Sequence, residues 1–184
     1  MAPATGDGRL EDMNLKSFRI RTAAAGLAAL AVVGGVTVSQ SAAMADPGAP
    51  AVVQTNVLSA DAALKIAEAV QKEAAKQKQR VTVAIVDRSG ATRLILKGDG
   101  AGPQTEESAR RKAFTAVSFG QATSALSKNQ ALAAIPGTLL LGGGVPVASG
   151  GSPIAGIGVG GAPSGDIDEA LAQAGLKAVQ GQLG

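Results

Sequence analysis

Leu139-Leu140-Leu141-Gly142-Gly143-Gly144-Val145-Pro146-Val147-Ala148-Ser149-Gly150-Gly151-Ser152-Pro153-Ile154-Ala155-Gly156-Ile157-Gly158-Val159-Gly160-Gly161 is the stretch on which the fold turns. Ten of the 25 glycines lie between Gly137 and Gly161. That density suggests a linker, but Gly/Ser linkers carry no apolar runs. Here the glycines separate three such runs: Thr138–Leu141, Val145–Ala148 and Ile154–Val159. Short apolar runs bounded by Gly and Pro read as buried strands joined by tight turns. The stretch therefore predicts three strands. Ala162-Pro163-Ser164-Gly165-Asp166 then leads into a terminal helix, with Ile167, Ala170, Leu171, Ala174 and Ala178 as its apolar stripe.

Upstream, the periods switch. Ser59 and Asp61 suit a helix start, one as cap and one as partner of the positive dipole end. Ala63, Ile66, Ala67, Val70 and Ala74 follow at helical spacing, and the helix should end near Gln79. Val81–Val86 is short and β-branched, Asp87-Arg88-Ser89-Gly90 is a turn, and Thr92–Lys97 is a second strand. A second helix opens at Thr105 with Glu106 and Glu107 in its first turn, and carries Ala109, Ala113, Ala116, Val117 and Gly120 on one face. Arg110, Arg111 and Lys112 read most simply as a solvated face with Glu106–Arg110 and Glu107–Arg111 pairs. Ser127–Ala134 reads as a short third helix. The predicted order is α-β-β-α-α-β-β-β-α. Short links imply antiparallel pairing, so the expectation is an α+β domain with a five-stranded antiparallel sheet flanked by helices.

The first 45 residues read differently. Lys16, Arg19 and Arg21 precede the weakly apolar run Thr22–Val38, and Ala43-Met44-Ala45 ends it. A basic region, an apolar region and an A-x-A site make a secretory signal peptide, with Met13 an alternative start. The expected mature chain is 46–184: a loose arm over 46–57, then one domain over 58–184. It holds eight Lys and five Arg against eleven Asp plus Glu, a net charge near +2. No basic stripe interleaves with aromatics, so nucleic acid is not an expected partner.

Absences exclude more than presences suggest. The chain has no His, Cys, Tyr or Trp, and its three Met all lie in the first 45 residues. A Ser-His-Asp triad, a thiol nucleophile and ordinary zinc sites are thereby excluded from the mature chain. So are the usual haem ligands. Gly156-Ile157-Gly158-Val159-Gly160-Gly161 brushes against a dinucleotide fingerprint but lacks a βαβ frame and a ribose-binding acid.

Five ordered pieces carry a resemblance. They are Val83–Gly90, Ala109–Ala116, Gly143–Val147, Gly156–Ala162 and Asp168–Leu176. Together they resemble the GlcG/HbpS-like haem-binding domains, which include the C-terminal domain of PduO-type proteins. The resemblance implies a profilin-like fold and a higher homo-oligomer, an octamer in the secreted member. It also implies haem and iron as ligands, haem degradation, and an extracellular partnership with the ectodomain of a redox-reporting membrane sensor kinase. Secretion accords with the signal peptide.

In that family a threonine holds haem iron. Thr105, Thr115 and Thr123 are the candidates here; Thr105 also reads as a helix cap, and Thr115 and Thr123 as residues bonding back to their own helix. Arg110, Arg111 and Lys112 are candidates for the haem propionates, and Phe114 and Phe119 for apolar contact or for the core. The family's D/E-x-x-E iron pattern maps onto Asp166-x-x-Glu169, which reads otherwise as an acidic first turn. Glu68 pairs less well, because Gln71 stands where a second acid would. The alternative to a haem protein is a ligand-free oligomeric interaction module, its alanine-rich helix faces making subunit contacts.

Overall fold

The computed structural model describes residue 48 and residues 50–184. The predicted signal peptide and the start of the arm lie outside the described residues. Among the described residues no helix is long and apolar enough to cross a membrane.

Ser59 caps the first helix, α1 (Ala60–Lys76), by accepting the Ala62 N–H at 3.1 Å. The five stripe residues named from the sequence are the five that α1 buries. Strands β1 (Thr82–Asp87) and β2 (Thr92–Lys97) form an antiparallel hairpin. Its turn is tied by Asp87, whose Oδ1 accepts the Ser89 N–H and O–H and the Ala91 N–H. Helix α2 (Thr105–Phe119) ends at Gly120, whose φ of 63° suits glycine.

Two hairpin strands, β3 (Gly144–Ser149) and β4 (Ser152–Gly160), complete the sheet. Its order is β2-β1-β4-β3, antiparallel throughout. The α+β class and the antiparallel sheet stand; the five-strand expectation does not. The missing strand is Thr138–Leu141. Its backbone groups go to helix side chains instead of a ladder. The Leu139 N–H donates to Thr115 Oγ1 at 2.9 Å, the Thr138 carbonyl accepts from Arg111 Nη2 at 2.6 Å, and the Leu141 carbonyl accepts from Thr123 Oγ1 at 2.7 Å. Buried backbone groups need partners, but those partners need not be another strand. The short third helix also moves: α3 is Thr123–Leu126, and Gln130–Ala134 is a 3-10 turn.

The faces of β4 explain its glycines. Ala155, Ile157 and Val159 point into the main core with Ile66, Val70, Val83 and Ile85. Gly156, Gly158 and Gly160 point the other way, onto α2. A Cβ on Gly156 would overlap the Ala113 carbonyl, and one on Gly158 the Ala109 carbonyl. Glycine is thus required by the close approach of a helix backbone to a strand. α2 answers with Ala109, Ala113 and Ala116, all fully buried. On the other face lie α1 and the last helix, α4 (Gly165–Lys177). α4 buries Asp168, Leu171, Ala172 and Gly175, so of the predicted stripe Leu171 is buried and Ile167 packs on the core, while Ala170 and Ala178 are exposed. Gly175 lets it approach Ile66 and Val70 of α1, and this rotates the helix away from Ala170 and Ala174.

Candidate functional site

Three consecutive cations on α2 take three directions, since successive helical residues are about 100° apart. Arg110 grips Glu107 with Nε and Nη2 at 2.9 and 2.8 Å, an exposed pair. This contact, Arg110 foremost, holds the Glu107 carboxyl below its ordinary value. The predicted i,i+4 pairs are replaced by this i,i+3 pair. Arg111 turns to the Gly137 and Thr138 carbonyls. Lys112 turns inward and is only 3% exposed. Its Nζ donates to the Val159 carbonyl at 2.9 Å and to Asp168 Oδ2 at 2.8 Å. The other Asp168 oxygen accepts the Ala162 N–H. Burial pushes the Asp168 carboxyl above its ordinary value, against the pull of Lys112.

This ion pair lines a cavity of about 530 Å³ where the N-terminal ends of α2 and α4 meet. Thr105 and Ser108 of α2 form one wall, Leu140–Gly142 a second, and Pro163–Asp166 a third. The cavity gathers three predicted site residues: Thr105, Lys112 and Asp166. Thr123 and Glu169 stand behind its wall. Thr123 Oγ1 donates to Leu141 and accepts the Gly144 N–H at 2.9 Å. Glu169 accepts from Ser124 N–H, Ser124 O–H and the Gly143 N–H, so its carboxylate ties the loop before β3 to α3. Thr115 bonds back to the Arg111 carbonyl at 2.8 Å and is fully buried. Glu68 is exposed on α1, across the sheet from α2. Phe114 covers the small cluster of Val86, Ala113 and Val117, a packing role, and Phe119 is half-buried.

The three threonines differ in access. Each hydroxyl already has two partners, but a hydroxyl oxygen holds two lone pairs. Thr105 donates to the Gly102 carbonyl and shares a 2.7 Å bond with Thr82. It is the first helical residue, not the cap, which is Gln104. Of the three it alone lines the cavity. Among the described residues one buried side-chain atom lacks a partner, Thr138 Oγ1. Sequence reading missed Thr138, because it was placed in a strand.

For haem the donors fit: a threonine oxygen at the wall, a buried ammonium with one N–H uncommitted, and apolar Leu140, Leu141 and Pro163 beside them. For a bare ferric ion they do not. Among the described residues no three carboxylates cluster, and Glu169 is committed to backbone.

The profile of the family described as "Haem degrading protein HbpS-like" matches residues 58–177. The structure superposes on the crystal structure of HbpS at 53% identity and TM-score 0.69, over 70% of this chain and 94% of that one. A double variant of HbpS from Streptomyces reticuli gives 51% identity and TM-score 0.68, over 73% and 97%. The haem complex of PduOC gives 27% identity and TM-score 0.64, over 70% and 98%. No curated protein sequence matches the chain. The matched profile spans the whole helix–sheet domain, and the chain belongs to the HbpS-like family.

Proposed function

We propose that this protein binds haem in the cavity between the N-terminal ends of α2 and α4. The observation that carries this reading is the convergence of Thr105 and Lys112 on that cavity in an HbpS-like fold. The haem complex of a relative, PduOC, supports it. Thr105 Oγ1 offers iron its remaining lone pair, and Lys112 offers a propionate its third N–H. Bound haem would supply redox-active iron, and Thr105 and Lys112 would hold it. A neutral hydroxyl is a weak ligand, so haem exchanges readily. No His or Tyr is present for acid–base work on it.

The biological setting proposed is an exported homo-oligomer that acts as accessory to a membrane sensor kinase. The basic, apolar and A-x-A regions of the first 45 residues support export. The uncovered apolar residues of β2, Ile95 and Leu96, support self-association. A profilin-like classification accords with a central antiparallel sheet with helices on both faces.

Haemin titration tests the central claim. The purified chain lacks Trp and Tyr, so its own ultraviolet absorption is minimal. Saturable Soret shifts are expected at micromolar haemin. Thr105→Ala should weaken binding about tenfold, while Thr115→Ala and Thr123→Ala leave it near the parent value. The absence of a saturable shift in the parent chain would overturn the proposal.

A further inference from the structure

We propose that a second cavity, at the C-terminal end of α2, binds a carboxylate carried on a small apolar body. It lies roughly 20 Å from the first, the length of a 15-residue helix. Its volume is about 740 Å³, within the range of small-ligand sites. The β1–β2 turn, the β3–β4 turn and the chain segment Gln54–Val57 enclose it.

The turn Asp87-Arg88-Ser89-Gly90 is a motif that the haem reading leaves unused. Arg88 Nη1 donates to the Val117 carbonyl at 2.6 Å and the Ser118 carbonyl at 3.3 Å. Those bonds fix the guanidinium plane against the end of α2. They leave Nε and Nη2 with no partner among the described residues. Asp87 does not neutralise Arg88. Its carboxylate is committed to Ser89 and Ala91 and stands 3.7 Å from Arg93. Arg88 is thus a cation in the cavity wall with no carboxylate partner among the described residues, its fork geometry suited to a bidentate one.

One acid also lines the cavity, Asp87, but its Oδ1 is taken up by the turn and its Oδ2 faces Arg93; two hydroxyls of the wall can donate. Ser149 Oγ accepts from Asn56 Nδ2 at 3.3 Å, which leaves its O–H to donate. The Ser152 hydroxyl has no partner among the described residues. These are donors, as an anion requires. Gln54 and Thr55 add polar groups on the arm side, and Pro153, Ile154 and Val57, the last 65% exposed, make the apolar part of the wall. A carboxylate head meets Arg88, and a short hydrocarbon body covers Val57 and Pro153. The Asn56–Ser149 bond holds the arm beside the opening.

Haem also joins carboxylates to an apolar body, so the test separates the two sources. Hexanoate is the probe and hexanamide its neutral counterpart, read by amide chemical shifts on the purified chain. Saturable shifts at Ser89, Gly150 and Ser152 are expected with hexanoate, and at least about tenfold weaker ones with hexanamide. R88Q should lose the response. S152D places an anion in the cavity without touching the hold of Arg88 on α2, and should also lose it. Haemin binding should be unchanged in S152D and in the hexanoate-saturated chain. Absent shifts, equal response to hexanamide, or parent-like affinity in both variants would overturn the proposal. So would displacement of haem by hexanoate, which would make this cavity the seat of the propionates.

Discussion

At the scale of single residues, the buried Lys112–Asp168 pair joins α2 to α4 beside the first cavity. Taking charges out of water is costly, and each charge here is tolerated because the other is present. Lys112→Met should therefore destabilise the chain by about 3–5 kcal/mol, by stranding Asp168. Lys112→Met with Asp168→Leu should recover most of that loss. Denaturant melts of the four chains of the cycle measure it; a double variant no better than the single one would refute the account. Asp87 behaves oppositely to Asp168. Its bond from Ser89, foremost, holds its carboxyl below the ordinary value of 3.8. A depressed folded value contributes stability above the unfolded value and loses it as pH falls through the folded one. Asp87→Ala should cost about 2 kcal/mol at neutral pH. The difference from the parent should shrink as pH drops below 3.8. A difference constant down to about pH 2 would contradict this.

At the scale of elements, α2 rests on β4 with no side chain between them along Gly156 and Gly158. Gly158→Ala must lift the helix, and should cost about 3 kcal/mol. A variant melting within a degree or two of the parent would show that α2 is not seated as described. This arrangement was only half legible in sequence. The glycine clusters and apolar runs marked β3 and β4, and the α1 stripe was read in full, because both are periodic signals. Thr138–Leu141 misled, because an apolar run looks the same whether its amides meet a strand or the side chains of Thr115, Arg111 and Thr123. Lys112 misled in the opposite way. A cation beside two arginines reads as solvated, and only its partner 56 residues on, Asp168, explains its burial. Thr105 was legible as a candidate, but its place in the cavity wall depended on tertiary packing. The α4 stripe was read too far round the helix, because the burial of Asp168 follows from Lys112.

At the scale of the whole molecule, the sheet has two open edges. The β2 edge is the more exposed, with Ile95 and Leu96 each more than one-third exposed. A lone apolar edge invites pairing, and Arg93 and Lys97 on the same strand limit which pairings are allowed. If self-association uses this edge, Ile95→Lys with Leu96→Lys should convert the oligomer to monomer in light scattering. An unchanged mass would move the interface elsewhere. Haem affinity should survive that conversion, because both cavities lie within one chain.

The seat of α2 on β4 also has a genetic consequence. Apart from silent third-base changes, a glycine codon can change by one base only to codons for Ala, Val, Ser, Cys, Asp, Glu, Arg or Trp, or to a stop. Every one of those residues brings the Cβ for which Gly156 and Gly158 have no room. At these two positions no single-base change that alters the residue is quiet. Drift across this strand must pass through a compensating change in α2 first.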